Sequence, residues 1–263
     1  MKTNVAIIPA MWEWKQAGRS IICCIKSTVF PAVVWAILIN SGFMTVLSAT
    51  GQTISFALLA AGVPFKLTGL STIPAVLANA VVWALGGPVA DKTSLYLARV
   101  LGKGRREAEY VLPNLVLPVL LGIAGCLVFG HAAQAKLHWS ILLLGNFLTL
   151  SGCLTTASLV NTFVIESYPQ MAGPVLINVS SLRIMLSFAT ASHATVWTQK
   201  LSPMRLMGAY AGMLGVLSLG IPGPFVYGKK LRMLTSGSVN KVNLGDAERG
   251  LGSAESGRAV GTV

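Results

Sequence analysis

Six windows of mostly apolar residues, each at least 20 long, run along this chain with short polar breaks between them. A bilayer core takes about 20 such residues as helix, so each window predicts one membrane span. The windows are 29–49 (VFPAVVWAILINSGFMTVLSA), 68–90 (TGLSTIPAVLANAVVWALGGPVA), 111–130 (VLPNLVLPVLLGIAGCLVFG), 139–162 (WSILLLGNFLTLSGCLTTASLVNT), 174–196 (PVLINVSSLRIMLSFATASHATV) and 206–228 (LMGAYAGMLGVLSLGIPGPFVYG). The piece 50–66 (TGQTISFALLAAGVPFK) is too short to cross again and ends in Gly-Val-Pro. It predicts a helix extension and a loop.

Composition points the same way. Of 263 residues 54% are hydrophobic and only 11% charged, against about 25% charged in soluble domains. The net charge of +12 sits in clusters outside the apolar windows, where anionic lipid headgroups are its natural partner. No basic face or recognition motif accompanies it, which excludes a nucleic-acid reading.

Lysine and arginine also set orientation. The segment before the first window, the loop after the second and the tail after the sixth hold fifteen of them, against four (Lys66, Lys136, Lys200, Arg205) on the other side. Both termini are therefore expected in the cytoplasm. The chain divides into a cytoplasmic lead (1–28), a six-helix membrane domain (29–228) and a basic tail (229–263). The tail is rich in Gly and Ser, lacks aromatics from Thr235 onward, and is expected to be disordered.

Signals for catalysis are weak. The stretch Gly86–Tyr110, GGPVADKTSLYLARVLGKGRREAEY, carries eight charged residues. Its GKGRR lacks the spacing of a phosphate-binding loop, and the span count makes the stretch a cytoplasmic loop. Three scattered histidines and four cysteines (Cys23, Cys24, Cys126, Cys153) show no metal or disulfide spacing. No enzyme activity, cofactor or metal is expected.

Polar groups inside the spans carry more information, because hydrocarbon makes them costly unless they line a cavity or find a partner. Asn40, Asn79, Asn146, Asn178 and Arg183 fall within windows. Interhelical hydrogen bonding is the plain role of each asparagine, and Asn40, Asn146, Asn178 and Arg183 are the candidates for a solute pathway. Arg183 lies nine residues into the fifth window, ~14 Å deep at 1.5 Å per residue. A pathway role and a structural pair with Glu166 both remain open for it. Asp91 and Glu166 stand at cytoplasmic span ends as caps or ion pairs. Pro74, Pro118, Pro222, Gly223 and Pro224 fall within spans, where such breaks suit helices that rock.

Four segments now resemble a known family. Gly87-Pro-Val-Ala-Asp91-Lys92 resembles the G-x-x-x-D-[RK] loop signature of the major facilitator superfamily, found after the second helix of each six-helix half. The following Gly104–Pro113, GRREAEYVLP, resembles a segment before the ninth helix of fungal drug:proton antiporter-like members. Asn161–Pro169 and Tyr227–Arg232 look like their tenth-helix ending and closing stretch. Together these identify helices seven to twelve, the C-terminal half.

The resemblance implies proton-coupled movement of a small organic solute, as efflux of a drug or secondary metabolite, in the plasma membrane. It implies a conformational latch at Gly87, Asp91, Lys92, Arg105, Arg106 and Glu166, and a pathway completed by a second six-helix half or a homodimer. A truncated half-transporter without activity is the competing expectation.

Overall fold

The computed structural model describes residues 28, 30–100, 108–168, 172–193, 197 and 201–221. The expected lead and tail lie mostly or wholly outside these residues, as do Arg105, Arg106, Cys23, Cys24, Pro222, Gly223 and Pro224. Among the described residues every regular element is helical. We label the α-helices α1 (Pro31–Ala60), α2 (Ile73–Ala84), α3 (Ala90–Val100), α4 (Val116–Gln134), α5 (Trp139–Ser167), α6 (Ala172–Ala191) and α7 (Pro203–Ser218). Two 3₁₀ segments, Phe65–Thr72 and Ala108–Leu115, and a π-helical turn, Leu85–Val89, complete the set.

Five helical stretches are long and apolar enough to cross a membrane: Pro31–Ala60, Phe65–Leu97, Tyr110–Gln134, Trp139–Ser167 and Ala172–Ala189. They make the chain a multi-pass integral membrane protein. The sixth expected window begins as α7, whose 16 residues span ~24 Å.

Local chemistry sets the helix ends. Pro31 opens α1 from an extended Phe30, where its missing N–H matters least. The helix runs 30 residues, so the expected extension past residue 49 is continuous with it. It ends in a Schellman motif: Gly62 has φ +85°, its N–H reaches Leu59 O, and the Val63 N–H reaches Leu58 O at 3.1 Å.

Of the prolines expected within spans, Pro74 and Pro118 stand inside Phe65–Leu97 and Tyr110–Gln134, at the points where a 3₁₀ segment passes into α-helix. Pro74 lies in the first turn of α2, and Pro118 is the third residue of α4. There they remove no bond the helix would have made.

One expectation is corrected. The stretch after residue 90 is not a loop at its start, since α3 carries the second span on to Val100. Asp91 stands in the first turn of α3, where an acid favours the helix dipole, and the Thr93 hydroxyl bonds back to Val89 O. Asp91 and Lys92 are exposed, so the polar residues read as loop are the solvent face of a helix.

Packing centres on α1 and α5. Their spanning windows are 67% and 61% buried, against 17% each for Phe65–Leu97 and α6 on the flanks. The α5 helix touches α1, α2, α4 and α6, while α7 closes against α4 and α1. The closest approach is between α4 and α5, where glycines let backbone meet backbone. Gly122 lies opposite Gly152, Gly125 opposite Thr149, and Gly145 opposite Phe129. One number rises as the other falls, so the helices are antiparallel and the register holds over two turns. A Cβ on Gly145 would lie 2.7 Å from the Phe129 backbone nitrogen, inside any tolerable contact. Small residues at such seams are the membrane substitute for a hydrophobic drive between helices.

Gly145→Leu should therefore push α4 and α5 apart and lower stability by about 1–3 kcal/mol. Gly212→Ala, whose Cβ would meet nothing within 4 Å, should leave stability equal or slightly raised. Thermal unfolding of the detergent-purified variants reads both, and equal effects would contradict the assigned register.

Candidate functional site: a polar column between the central helices

The α1–α5 interface combines aromatic contacts with a buried polar pair. The two helices run antiparallel along a set of matched contacts. Phe30 stacks on Tyr168 with ring centroids 5.4 Å apart, and Trp35 meets Phe163 edge-on at 5.7 Å. One turn deeper, Asn40 Nδ2 donates to Asn161 Oδ1 at 3.4 Å. Asn40 is fully buried and lies nine residues past Pro31, or ~14 Å along the helix.

Most hydroxyls in these helices are satisfied locally. Thr45, Thr50, Thr53, Thr149 and Thr156 each donate to the carbonyl four residues earlier, which lets a threonine sit in hydrocarbon-facing helix at little expense. Of the buried oxygens in these helices that are not satisfied, three lie away from the helix ends. Asn40 Oδ1, Ser151 Oγ and Thr155 Oγ1 have no hydrogen-bond partner among the described residues. Ser151 and Thr155 are 1% and 0% exposed and stand four residues apart, on one face of α5.

The four expected pathway residues fall into distinct places. Asn40 belongs to this column. Asn146, also on α5, is buried but lies fifteen residues from Asn161, ~22 Å along the helix. Asn178 on α6 is buried and donates to Thr28 Oγ1 at 2.6 Å, tying α6 to the entry of α1. The four therefore lie at different levels of the bundle and do not converge on one pocket. Asn79 is exposed and bonds to Ala75 O within its own helix.

Arg183 is placed by the stripe Val175, Val179, Arg183, Ser187 on α6. The other three members are buried, so the stripe faces the bundle, while Ile184, Met185 and Phe188 face outward. Arg183 is half-buried and its Nε is a buried nitrogen without a hydrogen-bond partner. The alternative of a structural pair with Glu166 does not form: no ion pair joins them among the described residues. Glu166 stands in the last turn of α5, whereas Arg183 is eleven residues into α6, ~16 Å deeper. A guanidinium at mid-helix costs about 2.5–3.5 kcal/mol on insertion scales, so its retention calls for a compensating interaction.

Of the expected latch residues, Gly87 lies in the π-helical turn Leu85–Val89 with Gly86 and Pro88, and Asp91 and Lys92 follow it. Glu166 stands in the last turn of α5, and Arg105 and Arg106 lie outside the described residues. A π-helical turn interrupts the helical ladder and marks a point of bending. Gly86, not Gly87, makes the close contact in this chain. A Cβ on Gly86 would lie 3.4 Å from Ser158 Oγ on α5, while one on Gly87 would meet nothing within 4 Å. Asn114 Nδ2 bonds to Ala90 O at 3.3 Å, fixing the start of α3 against the entry to α4. Among the described residues no three His, Cys, Asp or Glu side chains gather. Cys126 and Cys153 are free thiols buried in the packed core.

Sequence reasoning missed Asn161, Ser151 and Thr155. The run TLSGCLTTAS within α5 carried the signal, since so many hydroxyls in one span are unusual. Which of them fold back on their own helix is decided only by packing.

Comparison with known proteins follows the same line. No family model matches the chain, and no solved structure does. An uncharacterized transporter of Schizosaccharomyces pombe is 26% identical over 147 residues, covering 56% of this chain and 94% of its own length. A longer transporter of that yeast, also uncharacterized, is 26% identical over the same length, which is 30% of it. The MFS-type transporter penM of Penicillium rubens is 23% identical over 134 residues, 51% of this chain and 25% of the relative. Over about half its length, then, the chain is similar to fungal proteins named as transporters, one of them named MFS-type. The aligned part spans about a third or less of the longer relatives.

The Asn40–Asn161 bond supplies a direct check on the α1–α5 register. A double-mutant cycle with Asn40→Ala and Asn161→Ala should give a coupling of about 0.6 kcal/mol, at most ~1.7, in unfolding of the protein in lipid or micelles. A coupling of zero would mean the two side chains do not meet.

Proposed function

We propose that this chain is one half of a solute transporter of the major facilitator type, with its pathway along the α1–α5 column and past Arg183. The observation that carries this reading is that some of the buried polar groups without hydrogen bonds lie deep within the spans: Asn40 Oδ1, Ser151 Oγ, Thr155 Oγ1 and Arg183 Nε. A bundle built only for stability would satisfy such groups or replace them with apolar ones. Groups that stay unpaired in the dry state are the ones a passing solute or water can bond. The similarity to transporters supports the same assignment.

The finer features belong to this proposal. The solute is a small organic molecule, moved outward in exchange for protons at the plasma membrane, with both termini cytoplasmic as the basic-residue asymmetry requires. The second half of the pathway comes from another six-helix unit, either a separate segment or a second copy of this chain. Gly87, Asp91, Lys92, Arg105, Arg106 and Glu166 form the latch at the cytoplasmic ends. There a charge contact holds one state of a two-state rocking motion and breaks in the other. The π-turn at Leu85–Val89 is the point at which the second span bends.

A second reading, a half-transporter that folds without transporting, is favoured by the limited share of the longer relatives that the chain matches. The two readings part in one assay. Proteoliposomes holding the 263-residue chain should move solute across a panel of small organic compounds, and Arg183→Ala should abolish that flux while its thermal unfolding stays near wild type. Flux at wild-type level in Arg183→Ala would remove the pathway role. Folded wild-type protein that moves no member of the panel would favour the inactive half.

A further inference from the structure

The charge inventory of the spans narrows the solute. The helices α1, α4, α6 and α7 contain no aspartate or glutamate, and the one acid of α5, Glu166, stands in its last turn. Asp91 stands at the start of α3. At the depth of Arg183, twelfth of the 20 residues of α6, the chain therefore offers no carboxylate. Arg183 nevertheless keeps its charge, since guanidinium does not give up its proton in proteins.

Two routes could relieve that charge without a ligand, and the geometry favours neither. Snorkelling to lipid phosphate needs a side chain on the outer face, but Arg183 shares the inward stripe with buried Val175, Val179 and Ser187. An internal ion pair needs an acid within reach, and Glu166 lies too far along the bundle axis. Among the described residues no carboxylate stands at the level of Arg183.

We infer that the solute supplies the counter-charge: the pathway takes an organic carboxylate, whose charge the Arg183 guanidinium balances at mid-membrane. This rests on the transport reading above and names the class of molecule that site accepts. A guanidinium offers a planar fork of donors that fits a carboxylate in two parallel hydrogen bonds. In a low-dielectric bundle the same charge repels cations strongly. A single unpaired arginine balances one negative charge, which favours a monocarboxylate over a phosphate dianion. The unpaired Ser151 and Thr155 hydroxyls and Asn40 Oδ1 line the rest of the path with neutral groups suited to a polar but uncharged remainder of the solute.

The test uses three probes of one shape and different charge: benzoate, benzamide and benzylammonium. Each is added to the full chain in lipid nanodiscs at constant ionic strength, and the unfolding temperature is read. Benzoate should raise it by roughly 2–4 °C, benzamide and benzylammonium by less than a quarter of that. Arg183→Lys, which keeps the charge but loses the fork, should keep a reduced benzoate shift, and Arg183→Gln should lose it. If Arg183→Gln does not fold, Arg183→Lys and the order of the three probes on the wild type decide the matter. An equal shift from benzylammonium, a benzoate shift that survives in Arg183→Gln, an equal shift from inorganic phosphate, or no shift with benzoate would each overturn the carboxylate assignment. Flux separates this from the transport reading. Arg183-dependent benzoate binding without flux supports the anion class and removes transport, whereas flux of benzylammonium in place of benzoate removes the class and leaves transport standing.

Discussion

Hydrocarbon offers no hydrogen-bond partners, so each polar group in a spanning helix must bond within the protein, border water or meet a ligand. That constraint sorts the polar side chains of this bundle. Thr45, Thr50, Thr53, Thr149 and Thr156 meet it by donating to their own helix. Asn40 and Asn161, and Asn178 and Thr28, meet it by bonding across elements. What is left over, Asn40 Oδ1, Ser151, Thr155 and the Nε of Arg183, is therefore informative, because the same constraint would otherwise have removed it. Trp35 Nε1, Thr68 Oγ1, Ser167 Oγ and Tyr210 Oη are buried without a hydrogen bond as well, so it is position deep within the spans that singles these four out.

The column exists because the surrounding packing is close and fixed. Backbone contact at Gly122, Gly125, Gly145 and Gly152 brings α4 and α5 together and so orients the faces of α5. One face meets α4 through glycine and threonine, and another meets α1 through Phe163 and Asn161. With both ends of that rotation set, Ser151 and Thr155 have no freedom to turn toward lipid. The flanks are built differently. The stretch Phe65–Leu97 and α6 expose Val76, Trp83, Ile184 and Phe188, as surfaces facing lipid or another helical unit do.

Much of this was legible in the sequence. The hydropathy windows located five spans, though α1 runs eleven residues past its window and the second and fifth spans end about seven residues from theirs. The Gly-Val-Pro after residue 61 marked the end of α1, since a left-handed cap needs glycine. Where α3 begins was not legible: charge density argued for a loop, yet an amphipathic helix tolerates the same residues on one face. Pro74 and Pro118 were legible as interruptions within spans, and the structure puts a change from 3₁₀ to α-helix beside each. The contact of Gly86 with Ser158 was not legible either, as only coordinates separate it from Gly87 in the open. Arg183 was singled out by charge and depth alone. Its lack of a pair with Glu166 needed the helix positions, because the two lie only seventeen residues apart in the chain.

The central claim is that the buried hydroxyl face of α5 at Ser151 and Thr155 is open to water or solute during the working cycle. Thiol labelling tests it most directly. Ser151→Cys and Thr155→Cys are introduced singly into a chain whose four native cysteines are replaced by alanine, reconstituted in vesicles, and exposed to a membrane-impermeant methanethiosulfonate reagent. The account expects both positions to react, Ile184→Cys on the outer face to stay unreactive, and solute to slow the reaction at positions 151 and 155. If neither column cysteine reacts while Lys136→Cys in the exposed turn does, the column is packed core and the pathway lies elsewhere.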